Sequence, residues 1–236
     1  MNVIAIETSG LNGSVALLKN DVILKEGRLK RGMVHGKLLL PSLQRALKET
    51  RWSLKKINLV AVDIGPGSYT GLRVGLAAAK TLAYALKTKL IGVSSLDAMT
   101  ENIVPKYDYI VPVIDARWQQ IYSAVYQRSN NPLVNSKGTD KLDKIFIWQR
   151  ITDYLSLEPA KLLKILPELV RRRGENVLLF GNALVKYKNV FNRPGIIFAP
   201  QNRWIPRAGK IGQLGYHYFK SGRRDNPFKL IPLYLK

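Results

Sequence analysis

The chain has no cysteine and only two histidines among its 236 residues. Disulfides, thiolate metal sites and a cysteine nucleophile are therefore excluded, and the pattern fits a reducing compartment. The two histidines, His35 and His217, are 182 positions apart and read as surface or capping residues rather than as a ligand pair. Acidic residues are also scarce: 16 Asp and Glu stand against 38 Lys and Arg, a net charge of +22. No apolar run approaches the roughly twenty residues of a membrane span, and MNVIAIETS enters a strand without a basic-then-apolar leader. A cytoplasmic protein with no membrane contact is expected.

The basic excess points to an acidic partner. Residues 1–118 carry 17 basic and 9 acidic residues, net +8, whereas 119–236 carry 21 and 7, net +14. Arg171, Arg172 and Arg173, with the cluster containing Arg223 and Arg224, are the densest points and are the expected contacts to RNA phosphates. A charged, solvated surface is the alternative reading of the same residues. No zinc-finger spacing, aromatic RNA-binding signature or helix-turn-helix pattern accompanies the charge.

The most specific stretch is Asp63-Ile-Gly-Pro-Gly-Ser-Tyr-Thr-Gly-Leu-Arg-Val-Gly75. A branched apolar run from Leu59 to Ile64 predicts a buried strand, stopped by Gly65-Pro66-Gly67. Ser68 or Thr70 then caps a helix over Gly71–Lys87. Gly71, Gly75 and Ala78 or Ala79 form a ridge almost without side chains, beside an apolar stripe of Leu72, Leu76, Ala83 and Leu86. Such a ridge suits close packing; a glycine turn before a helix equally suits an anion. Thr8, Ser9 and Gly10 at the end of the first strand, with Gly65 and Gly67, are the positions for that nucleotide or phosphate contact.

Upstream, the spacing predicts a three-stranded antiparallel meander (3–7, 14–19, 22–29) and a helix of about fifteen residues containing Pro41, with Leu39, Leu43, Ala46 and Leu47 on its apolar face. The segment Tyr109–Asp115 then repeats Val3–Glu7 at an offset of 108 residues, and Tyr122–Tyr126 repeats Ser14–Leu18. Two α/β lobes, 1–106 and 107–236, are expected, each with a mixed sheet flanked by helices. In the second, 127–143 reads as loop, 145–157 and 161–173 as helical, 175–181 as a strand, and 208–220 as a helix with Ile211, Leu214, Tyr218 and Phe219 inward. The tail 230–235 is apolar enough to dock.

Together, Ile6-Glu7-Thr8-Ser9, His35 before Leu39-Leu40-Pro41, the GPGSYTGLRVG block, Ile91–Leu96, Ile114–Arg117 and Pro232–Leu235 resemble the TsaB (YeaZ) family. The resemblance covers most of the chain and is strongest over 1–126. It implies the actin-like ATPase (ASKHA) fold and a supporting subunit in adding threonylcarbamoyl to adenosine 37 of tRNAs that read codons starting with A. The implied partners are the catalytic relative TsaD, the ATPase TsaE and, through the complex, tRNA; a homodimer is expected in isolation. The implied interface comprises Leu39, Leu43, Ala46, Leu47, Ser68, Tyr69, Gly71, Leu72, Arg73, Gly75, Leu76 and Ala79.

In the catalytic relatives a His-x-x-x-His pair ligates metal, and this chain has Ser95 and Met99 at the matching positions. A hydroxyl and a thioether do not replace two imidazoles. No metal, no catalytic residue and no required cofactor are therefore assigned to this chain; ATP or ADP, if bound, falls at the partner interface. The alternative is a small-molecule kinase or ATP-binding enzyme of the same fold, against which Asp115-Ala-Arg-Trp-Gln-Gln120 lacks the glycines of a second phosphate loop.

Overall fold

The computed structural model describes residues 1–29, 35–129, 147–170 and 176–235. They divide into two compact units, one of 1–99 with 206–234 and one of 100–205 joined by the last residues.

In the first unit the meander forms as expected: β1 (Asn2–Glu7), β2 (Ser14–Lys19) and β3 (Val22–Arg28) are antiparallel. Helix α1 (His35–Thr50) follows, then β4 (Leu59–Gly65), α2 (Tyr69–Ala85), β5 (Lys89–Ser94) and the short α3 (Ser95–Thr100). Strands β4 and β5 join parallel to β1, giving the order β3-β2-β1-β4-β5. Because strand side chains alternate, Ile4, Ile6, Val60 and Val62 face α1 and α2 in one core.

The second unit contains β6 (Tyr109–Arg117), β7 (Gln120–Ser123), β8 (Tyr126–Arg128), β9 (Trp148–Arg150), β10 (Leu155–Leu157), α4 (Pro159–Leu169), β11 (Val177–Phe180), α5 (Leu184–Phe191) and β12 (Ile196–Phe198). Its main path, β10-β7-β6-β11-β12, repeats the first sheet strand for strand: antiparallel pairs on one side of the central strand and parallel pairs on the other. The sequence repeat is thus a repeat of topology. Residues 148–150 and 155–157 are strands rather than the expected helix, because they pair with β8 and β7. Residues 126–128 likewise form a strand where the loop was expected to begin.

The lobe boundary at 106 and the assignment of 107–236 to one lobe need correction. Helix α6 (Ala208–Lys220) returns to the first unit and covers the other face of its sheet. A Cβ at Gly212 would lie 2.3 Å from a Leu18 methyl, and one at Gly215 would lie 2.6 Å from Ala61 Cβ. These glycines let the helix axis sit directly on the strands. Tyr218 and Phe219 are only partly buried, while Tyr216 is buried. The tail docks as expected, with Leu233 N donating to Ile64 O at 2.7 Å.

Candidate functional site

At the end of β1 the chain builds a closed loop around its own carboxylate. Glu7 Oε1 accepts from the Ser9 amide (2.7 Å), the Gly10 amide (3.0 Å) and the Ser9 hydroxyl (2.9 Å). The amides on which a phosphate contact would depend are thus engaged by a side chain of the loop itself. Thr8 is buried and its hydroxyl donates to Gly71 O at 2.8 Å. Gly65 has φ +101°, the left-handed turn that glycine makes readily. At Gly67 an added Cβ would come within 2.7 Å of Ser9 O, so the two loops are in contact. Thr8, Ser9, Gly10, Gly65 and Gly67 do lie together, but as an internal latch.

The latch holds two fully buried carboxyls. The Ser9 hydroxyl is 2.9 Å from Glu7 and 2.8 Å from Asp63, yet has one hydrogen to donate. A proton held on either carboxyl supplies a hydrogen for the second of these contacts. Burial pushes Glu7 up to about 8, with the Asp63 charge acting in the same direction. Burial also raises Asp63 to about 6, against hydrogen bonds from Ser95, Gly65 and Ser9.

Ser95 and Met99 are both buried, and the Ser95 hydroxyl donates to Asp63 Oδ1 at 2.6 Å. These two positions are therefore committed to the core of the first unit.

The structure corrects most of the expected interface. Leu39, Leu43, Ala46, Leu47, Gly71, Leu72, Gly75, Leu76 and Ala79 are buried, in contact with their own unit rather than displayed to a partner. A Cβ on Gly71 would lie 2.0 Å from Thr8 O, and one on Gly75 would lie 2.1 Å from Thr8 Oγ1. The ridge is for close packing, as its composition suggested, but the packing is onto Thr8, just past β1 of the same chain.

Ser68, Tyr69 and Arg73 do reach the surface. Ser68 Oγ caps the Gly71 amide at 3.3 Å. The Arg73 guanidinium lies 4.1 Å from the Tyr69 ring centroid and donates to Tyr234 Oη at 3.3 Å; Tyr69 and Tyr234 have centroids 5.6 Å apart. One α2 stripe, Tyr69, Arg73, Ala77 and Tyr84, is exposed, on the face opposite the glycines. The tail adds Tyr234 and Ile231, and Phe228, which meets Tyr84 edge-on at 6.0 Å. Tyr84 is 71% exposed and Phe228 78%. The sequence signal for these residues was the i, i+4 stripe behind the glycine ridge and the aromatics of the tail.

Arg223 and Arg224 are exposed. Arg223 pairs with Asp225 at 3.0 Å, and Arg224 donates to Phe219 O and stacks 3.6 Å over the Phe219 ring, closing the end of α6. Arg171, Arg172 and Arg173 lie outside the described residues. In the second unit, the counterpart of the first loop is a two-residue turn, Trp118-Gln119, between paired Arg117 and Gln120. Its residues 117–119 all have left-handed φ. Among the described residues no helix is long and apolar enough to cross a membrane.

Residues 32–190 match the family model described as TsaD: tRNA N6-adenosine threonylcarbamoyltransferase. The whole chain is 34% identical over 242 residues to "tRNA threonylcarbamoyladenosine biosynthesis protein TsaB" of Escherichia coli (strain K12), covering 95% of that protein. The TsaB of Bacillus subtilis (strain 168) is 34% identical over 133 residues, 56% of this chain and 58% of that one. The solved structure titled "YeaZ from Pseudomonas aeruginosa" superposes with a TM-score of 0.80 at 21% identity, over 99% of both chains, and shows the same fold. With 34% identity to a TsaB protein along its whole length, and two mixed sheets flanked by helices as expected for the actin-like fold, the chain belongs to the TsaB (YeaZ) family of tRNA threonylcarbamoyladenosine biosynthesis.

Proposed function

We propose that this chain is the non-catalytic, activating subunit that pairs with TsaD in transferring a threonylcarbamoyl group to adenosine 37 of tRNAs reading codons that start with A. The observation that carries the reading is the exposed aromatic stripe of α2 and the C-terminal tail. Tyr69, Tyr84, Phe228, Ile231 and Tyr234 leave large apolar groups in water on one face of the first unit, an arrangement that favours a protein partner. The outer side of α1, with Leu40 half exposed, extends the helical surface offered to TsaD. TsaE joins that pair, and tRNA reaches this chain through the complex. In isolation the same face meets itself around a two-fold axis, giving a homodimer.

The first loop supports an assembly role over the kinase alternative. Its amides bind Glu7, and the second loop is a turn without glycine. Any ATP or ADP at the assembly is then held with the partner rather than by this latch alone.

The test is co-purification with TsaD of the same cell, using Ala77→Arg and Tyr84→Glu at exposed positions. Both variants should remain folded, lose the TsaD complex and fail to support tRNA modification. Undiminished complex formation by the folded double variant would overturn the reading.

A further inference from the structure

Trp118 is 93% exposed, the most exposed of the large hydrophobic side chains in the described residues. It sits at the tip of the β6–β7 hairpin, where Arg117, Trp118 and Gln119 have φ of +63°, +47° and +61°. A two-residue turn of this hand normally uses asparagine or glycine, and a bulky residue there is an outlier that costs stability. The base of the turn is firmly tied. Arg117 N donates to Asp115 Oδ1 at 3.0 Å, and Asp115 N donates to Asn182 Oδ1 at 2.8 Å. An indole held in water on a rigid, strained support gains nothing for the fold.

The surroundings are cationic. Arg117 is exposed beside the indole. Lys186 on α5, also exposed, lies over the Tyr187 ring at 4.9 Å and within electrostatic reach of Asp115. Asp115 serves the turn's own amide, and Glu158, which follows the Leu157–Ile121 pair, is itself paired with Lys161 at 3.0 Å. A single planar aromatic among cations differs from the broad aromatic stripe on α2. It matches an unstacked base with its neighbouring phosphates, in a chain of net charge +22.

We propose that the β6–β7 turn is a contact for single-stranded RNA, in which Trp118 stacks on an unpaired base and Arg117 and Lys186 meet adjacent phosphates. The proposal rests on the tRNA-modification reading for its biological ligand, an unpaired segment of the tRNA. It does not depend on the TsaD interface, which lies on other residues.

The probe is a short 5′-fluorescein-labelled oligoadenylate, titrated with the full chain and followed by fluorescence anisotropy over a range of salt. Trp118→Ala should weaken binding by about fivefold or more, with the salt slope unchanged, and Trp118→Tyr should recover most of the loss. Arg117→Gln with Lys186→Gln should make the log–log salt slope shallower by roughly 1.4. Unchanged binding by Trp118→Ala, or no saturable binding by the wild-type chain at low salt, would overturn the proposal. So would loss of TsaD binding by Trp118→Ala with RNA binding intact, which would assign the indole to a protein contact. Failure of the TsaD reading would show separately, in retained complex formation by the α2 variants.

Discussion

Glu7 shows how one buried side chain decides what its loop can do. Its carboxyl receives the amides of Ser9 and Gly10 and shares the Ser9 hydroxyl with Asp63. The unfolded chain ionises these groups near their ordinary values of 4.5 and 3.8, whereas in the fold burial holds protons on them to about 8 and about 6. Between about pH 4.5 and pH 8 these two carboxyls therefore bind more protons in the folded state than in the unfolded state, and the stability they contribute falls as pH rises. Denaturant melts across this window should show that decline, and Glu7→Gln should flatten it by keeping an acceptor for the amides without an ionisable group. A wild-type profile that rises with pH through the window would contradict the protonated latch. A second residue-scale outcome concerns Gly75, whose new Cβ would strike Thr8. Gly75→Ala should destabilise the chain by about 1–3 kcal/mol in equilibrium unfolding, as overpacking does.

At the scale of elements, α2 has two opposite faces with different tasks. The glycines, Leu72, Leu76 and Ala79 bind the helix to its own sheet, while Tyr69, Arg73, Ala77 and Tyr84 face water. The sequence made the helix, a hydroxyl cap at Ser68 or Thr70, the meander and the parallel strands legible, because periodicity and turn chemistry are local. It did not disclose which face of a small, apolar helix is covered, since alanine and glycine suit a core contact and a partner contact equally. The strands at 148–150 and 155–157 were misread for a related reason: they are three residues long and exist through pairing with distant β8 and β7. Helix α6 was legible as a helix, but the fit of Gly212 against Leu18 and Gly215 against Ala61 is a long-range match. Gly212→Val should consequently lower the melting temperature, whereas Gly222→Ala should be milder: Gly222 has φ +98° but no atom within 4 Å of an added Cβ. Equal losses would argue that α6 does not depend on close approach.

On the scale of the whole molecule, sequence order and structural unit part company. The first unit needs a segment from the far end of the chain, because α6 covers the face of the sheet bearing Ala5, Leu18 and Ala61. A fragment ending at residue 106 should accordingly show no cooperative unfolding by circular dichroism; a sharp transition would mean that the sheet needs no second cover. The repeated strand order supports a shared plan for the two units, with the first hairpin closing around Glu7 and the second ending in Trp118. Assembly through the first and RNA contact through the second would give the chain a task that calls for no catalytic group.

Assembly through the α2 face is the property on which the proposed function stands. Its most direct measurement is the affinity of the purified chain for TsaD, taken for wild type and for Ala77→Arg with Tyr84→Glu, with matched thermal melts. Wild type should bind tightly and the folded variant should lose at least about two orders of magnitude, as for substitutions at the centre of an interface. Equal affinities would contradict it and place the partner elsewhere on the chain.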